Sequence, residues 1–253
     1  MKIKNKLYSG EIELLFNTFR HAYSVDGKKI PSVTTILSVI NKPALINWSA
    51  RMAIDHVAEA IEPGKSYDEL QLQAIFEGGK RAHHAKKVDA GNIGTFVHDW
   101  IEKYINGDNP GMPVNEDLQE AINNFLVWVK DFKVKFLLTE QPVYSREHEY
   151  AGILDFVCVI GKEMFIGDIK TSSGIYPEHL MQTAAYRHAR QEEYPKEKYA
   201  GQLILRIGKK DGSFELVVIR DNKLYTEMFE SFLAAQKLQK TLKVLGDYKS
   251  DKW

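Results

Sequence analysis

Cysteine is nearly missing from this chain: Cys158 is the single one among 253 residues. One thiol excludes an internal disulfide, a cysteine-rich structural zinc site and a four-cysteine iron–sulfur cluster. Inside the apolar run "ILDFVCVI" it reads as a small core hydrophobe. Net charge is missing too, with 34 basic residues against 34 acidic ones. A polyanion partner therefore has to be held by a local basic surface, because the field of the whole molecule offers no attraction. No run approaches the ~18 apolar residues of a membrane span, and "MKIKNKLYSGEIELLF" lacks the apolar stretch of a secretory leader. A soluble, cytoplasmic protein with no membrane partner is expected. Internal repeats, low-complexity segments and a phosphate-cradling glycine loop are also missing, so no nucleotide cofactor is expected.

What is present suits a packed domain: 44% hydrophobic and 27% charged residues, at a length that fits one large domain or a domain with an appended lobe. "HAYSVDGKKIPSVTTIL" reads as a short hairpin turning at Asp26-Gly27, followed by a helix capped by Ser32 or Thr34. Pro43 opens a helix that stops at "EPGK". The stretch from Ser66 to Asp108 is helical in pattern, with breaks expected near Gly78-Gly79 and at Gly91 to Gly94. Asn115 is a candidate cap for an amphipathic helix. Strands are then expected over 137–146, 152–160 and 163–170, the last two joined at Gly161-Lys162. A helix from Pro177 to about Glu193 follows, then strands over 201–207 and 213–219 and a closing helix. Strands interleaved with helices in this order predict an α/β fold, a mixed central sheet flanked by helices. We expect one domain over 1–253, with a hairpin and helical lobe at 1–92 and an αβββαβ core at 93–253.

Two of those strands carry charges where core residues belong. Asp155 lies inside "ILDFVCVI", and Asp168 and Lys170 end "MFIGDIK". Residues two apart in a strand share a face, so Asp168 and Lys170 point the same way. A turn at 161–162 makes Asp155 and Asp168 neighbours across the hairpin. Two carboxylates that close repel, and one is forced toward its protonated form. A divalent cation between them removes the conflict, and oxygen ligands suit magnesium or manganese. A cation beside a lysine ammonium suits phosphodiester hydrolysis, where negative charge develops on phosphoryl oxygens. The bare Asp-x-Lys triplet carries little weight, since it occurs at Asp26, Asp131, Asp168, Asp221 and Asp247. The one at Asp168 stands apart by ending an apolar strand with a second strand acid just upstream. "KRAHHAKK" gathers Lys80, Arg81, Lys86 and Lys87 shortly before His98, and fits either a solvated helix face or phosphate contacts. His148 in "HEYA" has no second histidine at zinc-ligand spacing, and no zinc site is read there.

"GILD", "GDIK" and then Gln182-x-x-x-Tyr186 on the next helix, preceded by "GTFVH" at Gly94 to His98, resemble the PD-(D/E)XK nuclease superfamily. The closer likeness is to its RecB-like branch, which includes phage exonucleases and CRISPR-associated nucleases. The four pieces span residues 94 to 186 in the family's order, and "IPSVTTIL…KPALINWSARMA" is similar to the N-terminal segment of phage-type members. The resemblance implies a restriction-endonuclease-like core and a Mg- or Mn-dependent deoxyribonuclease, an exonuclease of phage or bacterial recombination and repair. It implies Asp155 and Asp168 as metal ligands, the Ile169 carbonyl and His98 as further ligands, and Lys170 as the catalytic lysine. Gln182 and Tyr186 would line the site and contact DNA or position Lys170; a polar helix face packed on the sheet is their other reading. The acid that precedes the Gly-x-x-Asp strand in the family is matched best by Glu140, with Glu147 and Glu149 as rivals. Glu102, one turn after His98, suits an orienting group or plain surface. DNA is the implied partner, alongside a recombination protein such as a single-strand annealing or binding protein. The helices ahead of the core, with their basic run, are expected to favour a strand-sized channel and a requirement for a DNA end. An endonuclease on the same site and a non-cutting DNA-binding accessory protein are the alternatives.

Overall fold

In a computed structural model that describes residues 1–209 and 211–247, the chain is a mixed α/β protein with one mixed and one antiparallel sheet flanked by helices. Lys210 of the expected "KKDG" turn and Lys249 of the last Asp-x-Lys triplet lie outside those residues. Two compact units form: Met1–Ile40 together with His98–Trp253, and Asn41–Val97.

The larger unit is built on strands β5 (Lys135–Ser145), β6 (Tyr150–Ile160), β7 (Glu163–Lys170), β8 (Tyr199–Ile207) and β9 (Phe214–Ile219), in that order across the sheet. To number elements in chain order, the N-terminal strands are β1 (Lys2–Leu7), β2 (Ile12–Asn17), β3 (Ala22–Val25) and β4 (Lys28–Ile30). The helices are α1 (Val33–Leu37), α2 (Pro43–Ala60), α3 (Glu69–Ile105), α4 (Glu116–Asp131), α5 (Pro177–Glu193) and α6 (Asn222–Asp247). Neighbours in the main sheet are antiparallel except β7 and β8, which run parallel and are connected through α5. A parallel pair needs such a crossover, whereas β6 and β7 need only the turn at Gly161.

β6 is apolar almost throughout because both its faces are covered. On one face Leu154 and Ile166 meet Val33 and Ile36 of α1, Ala184, Ala185 and Ala189 of α5, and Phe232 of α6. On the other, Phe125 and Trp128 of α4 meet Phe136 and Phe214. Both expected caps form: the Asn115 side chain accepts from Leu118 N at 2.8 Å, and Ser32, rather than Thr34, accepts from Thr35 N at 3.0 Å.

The first 40 residues depart from the expected partition. β1 to β4 make an antiparallel meander whose apolar side, Leu7, Leu14, Tyr23, Val25 and Ile30, closes on Tyr144 and Ala151 of the main sheet. Ala151 N also donates to Pro31 O at 3.0 Å. These residues therefore belong with the core and not with a helical lobe. On edge strand β1, Lys2, Lys4 and Lys6 are exposed, which discourages pairing with another chain.

The smaller unit holds α2 and the portion of α3 up to Val97. α3 runs unbroken through Gly78, Gly79, Gly91 and Gly94, which corrects the expected interruptions. A Cβ on Gly78 would fall 2.4 Å from His56 Nε2, and one on Gly79 would fall 3.2 Å from Ala53 O. The glycines let α2 and α3 approach closely, at ~1 kcal/mol of helix propensity each. Among the described residues no helix is long and apolar enough to cross a membrane.

Candidate metal centre

The centre is laid out by the end of the β6–β7 ladder. Phe156 pairs with Gly167, and a Cβ on Gly167 would fall 1.9 Å from Phe156 Cζ. Only glycine lets the ring lie across β7 at this rung. One position further on are Asp155 and Asp168, and there the ladder stops. The Asp155 carboxylate takes over, its Oδ2 accepting from Ile169 N at 2.6 Å. β7 continues on its other side against β8, with Asp168 opposite Ile204 and Lys170 opposite Arg206. Asp168 is fully buried. Among the described residues its Oδ1 has no partner, and neither oxygen accepts a well-formed hydrogen bond. Oδ2 is met instead by the Lys170 ammonium in a close ion pair.

Two further ligand candidates converge on Asp155. His98 Nδ1 stands 3.7 Å from Asp155 Oδ2. Glu140 lies on β5 between Thr139, which pairs with Phe156, and Gln141, which pairs with Leu154, and so faces Asp155. Its backbone is left-handed, with φ 47°. Ligand atoms of His98, Glu140 and Asp155 lie within 4.8 Å of one another. Thr139 Oγ1 donates to Asp155 O at 2.9 Å, fixing β5 against β6 here.

The electrostatics describe a place short of positive charge. Burial pushes the Asp168 carboxyl up to about 6, against the pull of Lys170 and with the push of Asp155. Burial also raises Asp155, opposed by Lys170 and the Ile169 N–H. Glu140 is pushed up to about 8 by burial and then by Asp155, Glu102, Asp99 and Asp168. Burial lowers His98, while the Asp168 charge and a hydrogen bond with the Ile169 backbone favour its imidazolium. The imidazole and two carboxylates of His98, Glu140 and Asp155 lie together, and with Asp168 beside them, its Oδ1 orphaned, they fit a divalent cation, whose charge would relieve all three acids together.

Gln182 and Tyr186 reach the centre from α5. Gln182 Nε2 donates to Tyr186 Oη at 3.0 Å. The Tyr186 hydroxyl is raised far above its ordinary range by burial and then by the Asp168 and Asp155 charges. The tyrosine ring covers Gly152, where a Cβ would fall 2.5 Å from Cε1. The Gly-x-x-Asp spacing thereby has a physical basis: Gly152 seats the tyrosine and Asp155 is its anionic neighbour. Gly152→Ala is expected to displace the ring and destabilise the fold by ~1–3 kcal/mol, as overpacking does, read from urea unfolding midpoints. An unchanged midpoint would mean that the ring yields at no cost.

Other sequence candidates lie elsewhere. Glu149 pairs with Lys28 at 2.5 Å, and Glu147 lies beside His148. Lys80, Arg81, Lys86 and Lys87 are exposed residues of the Asn41–Val97 unit, Lys80 pairing with Glu77 at 2.5 Å. Asp99 escaped sequence reading although it adds to the field at Glu140; its one signal was its place directly after His98.

No protein-family model matches the chain, and no curated protein sequence matches it. Among solved structures, the crystal structure of SSO0001 aligns over 46% of this chain at 17% identity with a TM-score of 0.28. The aligned part spans 56% of that chain.

Proposed function

We propose that this chain is a divalent-metal-dependent deoxyribonuclease that hydrolyses phosphodiester bonds, working from DNA ends in recombination or repair. The observation that carries the reading is the burial of Asp168, one oxygen unpartnered among the described residues, beside Asp155 and Lys170. A fold served by stability alone does better with an apolar pair at such a place.

His98, Glu140, Asp155 and Asp168 would hold the ion, and oxygen-rich ligation favours magnesium or manganese. When bound, the cation supplies Lewis-acid polarisation of a phosphoryl oxygen and lowers the pKa of water. The chain's own contribution is positional and electrostatic. Asp168 holds the Lys170 ammonium at the centre, where it offsets negative charge developing on the phosphate. Tyr186 accepts from Gln182 and keeps its own O–H as a donor toward substrate. Asp155, fixed by Ile169 N, keeps β6 and β7 in register around the ion.

The test incubates closed circular DNA, single- and double-stranded, and the same molecules linearised and end-labelled, with manganese or magnesium at low salt. Linear DNA is expected to be degraded, circles to survive, and EDTA to stop the reaction. Circles lost as fast as linear DNA would replace the exonuclease reading with an endonuclease. No cutting with either metal would leave a DNA-binding accessory protein.

A further inference from the structure

The turn between β5 and β6 carries Glu147 and His148, and α5 carries His188. None of these belongs to the centre described above. Each offers a ligand atom, and these atoms lie within 4.8 Å of one another. His148 Nε2 is 3.7 Å from Glu147 Oε1, and the two imidazole rings are 5.2 Å apart between centroids. His188 Nε2 is buried and has no hydrogen-bond partner among the described residues. Leaving such a group unpaired is costly, and coordination to an ion would offset that cost.

The surroundings hold this cluster in place. Glu192 accepts from Ser145 Oγ at 2.6 Å, Arg146 N at 2.7 Å and Glu147 N at 3.2 Å. His148 N donates to Ser145 Oγ at 3.1 Å, and Gln236 Nε2 donates to His148 O at 2.8 Å. The His188 ring is stacked on Phe229 at 3.9 Å. Outer groups of this kind orient the ligands of a metal site; Glu192, with its oxygens occupied, is such a support.

We propose that Glu147, His148 and His188 form a second metal site that takes a zinc-class divalent ion and clamps the β5–β6 turn to α5. Two imidazoles and one carboxylate, with a water in the fourth position, are a zinc donor set. Nitrogen ligands also separate it from the oxygen-rich centre at Asp155 and Asp168. Tetrahedral bonds of ~2.1 Å place donors ~3.4 Å apart, and Glu147, whose side chain is exposed, closes the remaining gap by rotation.

The test is zinc binding by equilibrium dialysis and metal analysis, in Asp155→Asn protein so that the first centre is weakened. This protein is expected to retain a zinc ion that Asp155→Asn/His188→Gln loses, with affinity reduced by more than ~100-fold, beyond what loss of an outer support costs. In the otherwise native chain, Glu147→Gln should reduce the zinc-induced rise in melting temperature. That substitution is at an exposed side chain, so it decides the matter even if His188→Gln fails to fold. Equal zinc content with and without His188→Gln, or a zinc response indifferent to Glu147→Gln, would overturn the proposal.

Discussion

Lys170→Ala is expected to cut DNA ~10²–10³-fold more slowly than the native chain at saturating manganese, the loss that follows removal of one preorganised charge stabiliser, or ~2.7–4 kcal/mol of barrier. The expectation rests on placement. Lys170 shares a strand face with Asp168, and its ammonium meets that carboxylate inside the centre. Its side chain is largely buried, so little solvent screens it. The effect should fall on single-turnover rate rather than on metal binding, because the carboxylates and His98 remain. Initial rates on end-labelled DNA, with manganese-induced melting shifts measured in parallel, separate the two. A variant that cuts at the native rate would remove Lys170 from the chemistry. One that loses the manganese shift as well would make it a structural partner of Asp168.

In a chelator, the buried carboxylates are expected to lower the melting temperature as pH rises through the window from about 4 to about 8, and saturating manganese to restore most of the loss at the upper end. Below about 6.5 the fall is partly offset by His98 and His188, whose imidazoles are lowered by burial. The sign follows from the direction of the shifts. Asp168 ionises near 6 in the folded chain against an ordinary value of 3.8. Between those values the folded state keeps a proton that the unfolded state has released, so stability declines with pH. Two pH units at 1.36 kcal/mol each come to roughly 3 kcal/mol. At ~2–4 °C per kcal/mol for a domain of this size, that is roughly 6–12 °C. Glu140, raised to about 8, extends the decline in the same direction; solvent screening makes its share smaller. Manganese binds the deprotonated ligands, so its benefit grows across the same window. Thermal melts at stepped pH, with EDTA or manganese, test both halves. A melting temperature that stays flat or climbs in EDTA would show that the carboxylates are compensated without an ion.

The parts legible in the sequence are those whose causes are local. β6 and β7 announce themselves as apolar runs about a Gly-Lys turn, and the misplaced Asp155 and Asp168 stand out against them. The N-terminal sheet was half hidden. β3 and β4 have a clear Asp-Gly turn, but the lysines that protect the edge of β1 also dilute its apolar pattern. Gly78 and Gly79 look like breaks because sequence alone does not show His56 and Ala53 packed against them, the neighbours that require glycine there. The choice among Glu140, Glu147 and Glu149 was equally remote from local rules. It depends on which acid the β5–β6 pairing brings beside Asp155: Glu140 lies on β5 between Thr139 and Gln141, whereas Glu147 and Glu149 fall in the turn. His148 and His188 become neighbours only when α5 packs behind the β5–β6 turn.

At Glu140 two requirements on one residue pull apart. A left-handed backbone, φ 47°, is natural to glycine and tolerable for asparagine or aspartate, and costs other residues ~1–2 kcal/mol. A residue selected for conformation alone would come from that short group, yet position 140 holds the longer carboxylate. Aspartate would satisfy the backbone and the charge, but its shorter arm reaches a methylene less far toward Asp155. The chain thus keeps a conformational misfit in the middle of β5, where the adjacent ladder and the Thr139 hydrogen bond are strong enough to impose it. Reach has been preferred to ease, which marks this position as one where adaptation for thermostability and adaptation for metal binding would favour different residues.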